Sequence, residues 1–441
     1  MSQTVEGHRK DTGSLSKPAE RSAGNSAASS APLRGRHGVK GGLGLGGEQP
    51  TDRCAAATAA TRSEGSPGHT STNRQQSTDK KGGNTKTTKA HSLIDKMYSW
   101  DNLQRAYRRV RANKGTHGLD RVTLRMFDAD RDMHLREIQR KLMQNRYTWQ
   151  PVRRVYIPKS SNPKKTRPLG IPTVSDRIVG QALVQVLDPI FDVHLSDRSF
   201  AYRKERSAHD AIATIEDDLK AGFRHVVDAD VKSCFDYISY DVAMSCVTQR
   251  VADGRVLDLV QTYLKSGVYE DGDVTVPERG IPQGGVLSPM IMNLVLDGLD
   301  RTIESHGFRI VRYADDFVVL CRTRDEAQVA LALCSQTLRN LGLTLHPDKT
   351  AIVAAWIGFR FLGVQFKHGF NTVSPQAIGR FKDKVRVLTR RQQGTNIETV
   401  IERLTPLIRG WARYYGVAHC AHDSVSYTHL TLPTTIELCG W

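Results

Sequence analysis

The stretch Phe308-Arg-Ile-Val-Arg-Tyr-Ala-Asp-Asp-Phe-Val-Val-Leu-Cys321 sets two short β-rich runs on either side of Ala314-Asp315-Asp316. Val, Ile, Phe and Tyr suit a pleated surface, so the stretch predicts a tight hairpin with carboxylates at its tip. Downstream, Thr323 and Glu326 have the spacing of a capping box. Ala327, Leu331, Cys334, Leu338 and Leu341 then recur at helical spacing, Gly342 suits the C-terminal cap, and the run AIVAA from Ala351 reads as another strand. Upstream, His225-Val-Val-Asp-Ala-Asp-Val231 reads as a buried strand ending in acids. Gly280-Ile-Pro-Gln-Gly-Gly-Val-Leu-Ser-Pro289 is a glycine-rich loop that runs into MIMNLVLDGLDRTI, whose apolar spacing is helical. The resulting order is strand, helices, strand, strand, helix, strand, which is the split βαβ, ferredoxin-like order.

That topology predicts Asp230 beside Asp315 and Asp316 on adjacent strands. Carboxylates concentrated in one place repel and are costly to desolvate. A divalent cation offsets that cost, and Mg²⁺ takes few carboxylates while accepting waters and substrate phosphates. Two such ions about 4 Å apart activate an attacking oxygen and stabilise a leaving one. Paired Asp at a hairpin is also ordinary turn chemistry. The conjunction of three segments in this order separates the two readings.

Composition points the same way. The chain has 441 residues, 25% of them charged, and a formal net charge of +17, so a polyanionic partner is expected, with nucleic acid the default. No apolar run is long enough for a transmembrane helix, so no membrane partner is expected, and no signal-peptide pattern opens the chain. The seven cysteines form no CxxC pair, which argues against a disulfide framework or a structural zinc site. A reducing cytoplasm, with nucleoid association, is the expected location.

Residues 1–90 contain no Phe, Tyr, Trp or Ile, and basic residues outnumber acidic ones. They read as a disordered basic tail. Gly41 to Gly47 superficially resembles a phosphate loop but lacks the flanking strand and helix. Leu93, Met97, Trp100, Leu103 and Tyr107 predict one helix closed by Lys114-Gly115, and Arg105, Arg108, Arg109 and Arg111 make it very basic. RRVYIPKSSNPKKTRPLGIP predicts a hairpin with a basic tip, and a helical pattern resumes from Asp176 to Leu195.

At this point the motifs are specific in combination. Tyr313-Ala-Asp-Asp316, preceded by DVKSCFD and GIPQGGVLSP, resembles the reverse transcriptases encoded by group II introns. The resemblance extends from NKGTHGLD through KTRPLGIP and RSAHDAI to LHPDKT, GFRFLG and LIRGWARYYG, over roughly residues 92–420. It implies an α+β right-hand polymerase with fingers, a ferredoxin-like palm and a partial helical thumb. The expected divisions are a tail at 1–90, fingers at 91–205, palm at 206–366, the start of the thumb and maturase region at 367–423, and a frame-disrupted or non-native stretch at 424–441. It implies an RNA-directed DNA polymerase that extends a primer on an RNA template with two Mg²⁺ ions and assists intron splicing and mobility. Intron RNA, a DNA primer or target and deoxynucleoside triphosphates would be its partners.

Carried over residue by residue, Asp230, Asp315 and Asp316 resemble the metal-binding catalytic carboxylates, with Val231 and Ala314 lending backbone carbonyls. Lys159 and Arg167 resemble the residues that grip the incoming triphosphate, with Lys165 as an alternative. Gln283 and Gly284 resemble the loop against the nucleotide, and Phe235 the ring under its sugar. Phe361, Leu362 and Gly363 resemble the hairpin that positions the primer end. Lys349, in LHPDKT, is the expected general acid for pyrophosphate departure. Lys204-Glu205 and Ser233 depart from the family pattern, the latter where Gly is common. His209, His346, His419 and His422 have no metal-ligand partners in the sequence. Two rival readings stay open here: a splicing maturase with little polymerase activity, and a domesticated or defence-associated reverse transcriptase.

Overall fold

The computed structural model describes residues 89–159, 162–390 and 394–418, the side chains of 159–165 excepted. The 1–88 portion of the expected tail, the Gly41–Gly47 run, His419, His422 and the 424–441 stretch lie outside the described residues.

The chain forms β1 (Val152–Lys159), β2 (Asn162–Ile171), β3 (His225–Asp230), β4 (Val268–Glu270), β5 (Asp273–Thr275), β6 (Arg309–Tyr313), β7 (Asp316–Cys321), β8 (Ala351–Ala354), β9 (Phe359–Phe361), β10 (Val364–Lys367) and β11 (Phe370–Val373). The sheet that matters most runs β6-β7-β3-β8, with β3 antiparallel to both β7 and β8. This is the ferredoxin-like order expected from the sequence. Strand alternation divides its faces. Val227, Ala229, Phe317, Val319 and Cys321 pack into the main core with the helices Ser288–Ser305 and Arg324–Asn340. Val226, Val318 and Leu320 face the other way, onto Ile212 and Ile215 of the helix Ala208–Lys220 and Phe361 and Phe366 of β9 and β10. Burial of two apolar faces accounts for the unbroken Phe-Val-Val-Leu-Cys run of β7.

A second sheet, β2-β1-β4-β5, contains the basic hairpin, with Arg153 opposite Ile171 and Ile157 opposite Arg167. A third, β11-β10-β9, follows the palm strands, so the expected palm–thumb boundary at 366/367 falls inside β10. Helix Ile397–Tyr415 comes after it.

Two local expectations need correction. The single helix from Leu93 is two, Ile94–Tyr98 and Trp100–Ala112. Ser99 is extended at the break, and its hydroxyl accepts from Asn102 N. Buried Asn102 then donates to the carbonyls of Met97 (2.9 Å) and Ala182 (3.0 Å), satisfying the broken ladder and docking it on helix Val174–Phe191. The Thr323 cap accepts from Glu326 N at 3.1 Å, but the Glu326 carboxylate receives the amide of Arg322, one residue before the cap.

Candidate active site

β3 ends at Asp230 and β7 begins at Asp316, and the two are register partners. Asp228 and Asp230, two apart on β3, share the face of Val226; Asp316 shares the face of Val318. Asp315 occupies the two-residue turn between Tyr313 and Asp316, and its backbone carbonyl accepts from Val231 N at 3.1 Å. Antiparallel pairing therefore brings together carboxylates separated by 85 positions or more in sequence.

Their electrostatics follow from that crowding. Burial, then the neighbouring charges of Asp228, Asp230 and Asp315, push the Asp316 carboxyl up to about 7. Burial, with Asp230 adding to it, also raises Asp315, while Arg167 and Lys349 pull it back. Arg167, on β2, is thus within electrostatic reach of the hairpin tip. Asp228 rises to about 6, mainly by burial, with Arg360 of β9 opposing the shift. Lys349 forms an ion pair with Asp230, and the amide of His346 donates to the Asp230 carbonyl at 2.8 Å. Those contacts fold the LHPDKT segment over the end of β3.

The glycine-rich loop lies between this site and the basic hairpin. Ile281 N donates to the Phe235 carbonyl at 2.7 Å, and Gln283 Nε2 to Asp236 Oδ1 at 2.6 Å. On the other side, Gly170 N donates to the Gln283 carbonyl at 2.7 Å. Gly284 has φ +96°, and a Cβ there would sit 2.3 Å from the Gly170 carbonyl oxygen, so only glycine permits this approach. The Phe235 ring is half-buried against the main core. Phe361 is buried under a turn formed by Leu362 and Gly363.

The structure brings together Asp230, Asp315, Asp316, Lys349 and Arg167, and joins Phe235 to Gln283 and Gly284 through the loop. Lys159 and Lys165 lie on β1 and β2, and their side chains are outside the described ones. His209 Nε2 meets the Tyr414 carbonyl at 2.8 Å. The Ala314 carbonyl, expected as a metal ligand, accepts a hydrogen bond from Arg312 Nη1 at 3.0 Å. Sequence reasoning missed Arg312, Asp300, Asn293 and Asp228. For Arg312 the available sign was a cation at a core-facing position of an apolar strand; for Asn293 and Asp300, polar residues seven apart on the apolar stripe of one helix.

A basic cavity of about 690 Å³, lined by Arg108, Arg111, Lys114, His117 and Arg125 among others, lies in the N-terminal helical region. No helix among the described residues is long and apolar enough to cross a membrane. Among them, no group of three or more His, Cys, Asp or Glu side chains forms a ready-made metal cage. The donor set nevertheless fits Mg²⁺, which binds through one or two carboxylates and completes its shell with water and substrate phosphates.

A ferredoxin-like palm with carboxylates at adjoining strand ends, facing a basic hairpin, has the architecture of a template-directed polymerase. Residues 157–366 match the family described as reverse transcriptase (RNA-dependent DNA polymerase), and residues 378–429 match the group II intron, maturase-specific domain. Protein YkfC of Escherichia coli K12 is 32% identical over 302 residues, covering 59% of this chain and 79% of YkfC. The group II intron-encoded protein LtrA of Lactococcus lactis is 35% identical over 200 residues, covering 45% of this chain and 33% of LtrA. A chain of a partial Cas6-RT-Cas1–Cas2 complex aligns with a TM-score of 0.36 at 25% identity, over 56% of this chain and 41% of that one. This chain belongs to the group II intron-encoded reverse transcriptases, RNA-directed DNA polymerases that carry a maturase domain.

Proposed function

We propose that this chain extends a DNA primer on intron RNA by two-metal nucleotidyl transfer and assists splicing and mobility of that intron. The observation that carries the reading is the register pairing of Asp230 with Asp316, with Asp315 at the adjoining turn and Arg167 in electrostatic reach of it. Asp230, Asp315 and Asp316 would hold two Mg²⁺ ions, with the Val231 carbonyl alongside. The ions supply activation of the primer hydroxyl and charge neutralisation on the phosphates. Arg167, with Lys159 and Lys165 of the same hairpin, grips the triphosphate. The Gln283-Gly284 loop and the Phe235 ring form the floor and wall for base and sugar, and the ring leaves a 2′-hydroxyl without a hydrogen-bond partner. Lys349, already on Asp230, gives its proton to the departing pyrophosphate. Phe361, Leu362 and Gly363 support the primer end. Scattered Lys and Arg, including those around the basic cavity, hold RNA through phosphates; contact with roughly 6–10 of them makes affinity fall about 10³–10⁵-fold between 50 and 200 mM salt.

The test is primer extension on an RNA template, with and without Mg²⁺, for wild type and Asp315→Asn. The variant is expected to lose more than about nine-tenths of the extension rate while RNA affinity stays near wild type and the thermal midpoint does not fall, because RNA affinity comes from the cations and not from this carboxylate. Extension by the variant above about a tenth of the wild-type rate removes Asp315 from the site. RNA binding and splicing assistance without extension by wild type would leave a maturase alone.

A further inference from the structure

We propose that Arg312 is a positioning residue for the catalytic turn, acting with Asp300 and Asn293 as a buried clamp on the Ala314 carbonyl. This rests on the polymerase reading above.

Arg312 and Asp300 are both fully buried. A buried charge is tolerable only when paired and hydrogen-bonded, and here four of the guanidinium's five N–H donors are engaged. Nε donates to Asp300 Oδ1 at 2.8 Å and Oδ2 at 3.0 Å, and Nη2 to Oδ2 at 2.6 Å. Nη1 donates to Asn293 Oδ1 at 2.9 Å and to the Ala314 carbonyl at 3.0 Å. Asn293 in turn donates to the Ala201 carbonyl at 2.8 Å. The backbone of Arg312 is tied as well: its amide donates to the Arg198 carbonyl (2.9 Å), and its carbonyl accepts from Phe200 N (3.0 Å). A core ion pair could have been closed without reaching the turn.

The turn needs a clamp. Ala314 has φ +62°, a left-handed conformation disfavoured for any residue with a Cβ. Such conformations persist where the surroundings over-determine them. Arg312 Nη1 holds the carbonyl of that strained residue, the next residue is Asp315, and the Asp315 carbonyl is fixed by Val231 at the end of β3. The helix Ser288–Ser305, packed on the core face of the sheet, thus fixes through Asp300 and Asn293 where Asp315 and Asp316 stand relative to Asp230. Displacing a reacting group by about 1 Å can cost roughly 10²-fold in rate.

The deciding variant is the double substitution Arg312→Met with Asp300→Leu. Replacing a buried ion pair by apolar residues of similar size is often neutral for stability, whereas removing one partner is not. If the network serves only the core, the double variant keeps the wild-type extension rate and Mg²⁺ dependence, whatever happens to its thermal midpoint. If it positions the turn, the midpoint and RNA affinity stay near wild type, while single-turnover extension falls roughly 10–10²-fold. Half-saturation by Mg²⁺ then rises, and added Mg²⁺ raises the thermal midpoint less than in wild type. Should the double variant not fold, Arg312→Lys decides: it keeps the charge beside Asp300 but cannot reach Asp300, Asn293 and Ala314 together, and is expected to show the same loss. Wild-type extension and Mg²⁺ response in a folded variant of either kind overturns the proposal. Asp315→Asn, run alongside, tests the parent reading separately: if it extends at the wild-type rate, the site assignment itself fails, whatever Arg312 does.

Discussion

Among the hairpins that turn on two residues, β6–β7 and β9–β10 are held by opposite means. In β6–β7 the turn is Ala314-Asp315; in β9–β10 it is Leu362-Gly363. Both place a residue with a side chain in the left-handed region, Ala314 at φ +62° and Leu362 at φ +50°. The first turn is clamped from inside the palm by a buried guanidinium. The second is clamped by the helix Ile397–Tyr415: the Tyr414 hydroxyl donates to the Leu362 carbonyl at 3.0 Å, and a Cβ on Gly363 would lie 2.5 Å from the Tyr415 hydroxyl. Similar turn chemistry is therefore put to different ends. The acidic tip, proposed as catalytic, is fixed to its own core, whereas the tip proposed to support the primer follows a helix of the following region.

Asp316→Asn probes the first hairpin hardest. The Asp316 carboxyl stands at about 7 in the fold against 3.8 for an unperturbed group. A raised carboxyl contributes stability that is fully present below about pH 4 and lost as pH rises through about 7. At pH 8 without metal, the wild type bears the full repulsion, and Asn removes it. The variant is expected to be more stable by on the order of 2–3 kcal/mol at pH 8 in EDTA, with the gap closing toward pH 4. Extension should be abolished. Denaturant melts across that range check it; a variant less stable than wild type at pH 8 breaks the account of a crowded carboxylate.

Gly363→Ala probes the second hairpin. It puts a Cβ at φ +79° and against the Tyr415 hydroxyl, so the expected loss is about 1–3 kcal/mol, with weaker primer use and unchanged RNA affinity. Primer half-saturation and a melt measure both. Tyr414→Phe removes the hydroxyl donor to Leu362 and should cost about 1 kcal/mol. No change in the midpoint would mean that this bond does not hold the turn. The smallest effect belongs to Ala314→Gly, where relief of left-handed strain and the added freedom of the unfolded chain oppose one another. The midpoint should move by less than about 0.5 kcal/mol equivalent, in contrast with the reverse exchange at Gly363. A drop above about 1 kcal/mol would show that the Ala314 methyl packs more than its conformation suggests.

The carboxylates of the candidate site, and the strands that carry them, are legible in the sequence. The alternation around Tyr313-Ala-Asp-Asp316, the acidic end of His225–Val231 and the helical stripe from Ala327 to Leu341 together fix the strand order, because each is a local period with a single compatible topology. Ser99 was less legible: its polar cap interrupts the helix without breaking the apolar stripe, so periodicity ran straight through it. The partner of Glu326 is not legible, because spacing alone does not say which amide a carboxylate reaches, and here it is that of Arg322.

The sequence by itself determined the class of fold, the carboxylates and the net charge that calls for a polyanion, since these depend on residue type and short-range period. Only the tertiary structure decided that Arg312 reaches the Ala314 carbonyl, that Lys349 sits on Asp230 and that Tyr414 holds Leu362. Those contacts join residues through packing in three dimensions, where burial strengthens each hydrogen bond and penalises each unpaired charge, and no period along the chain encodes which partner will be within about 3 Å.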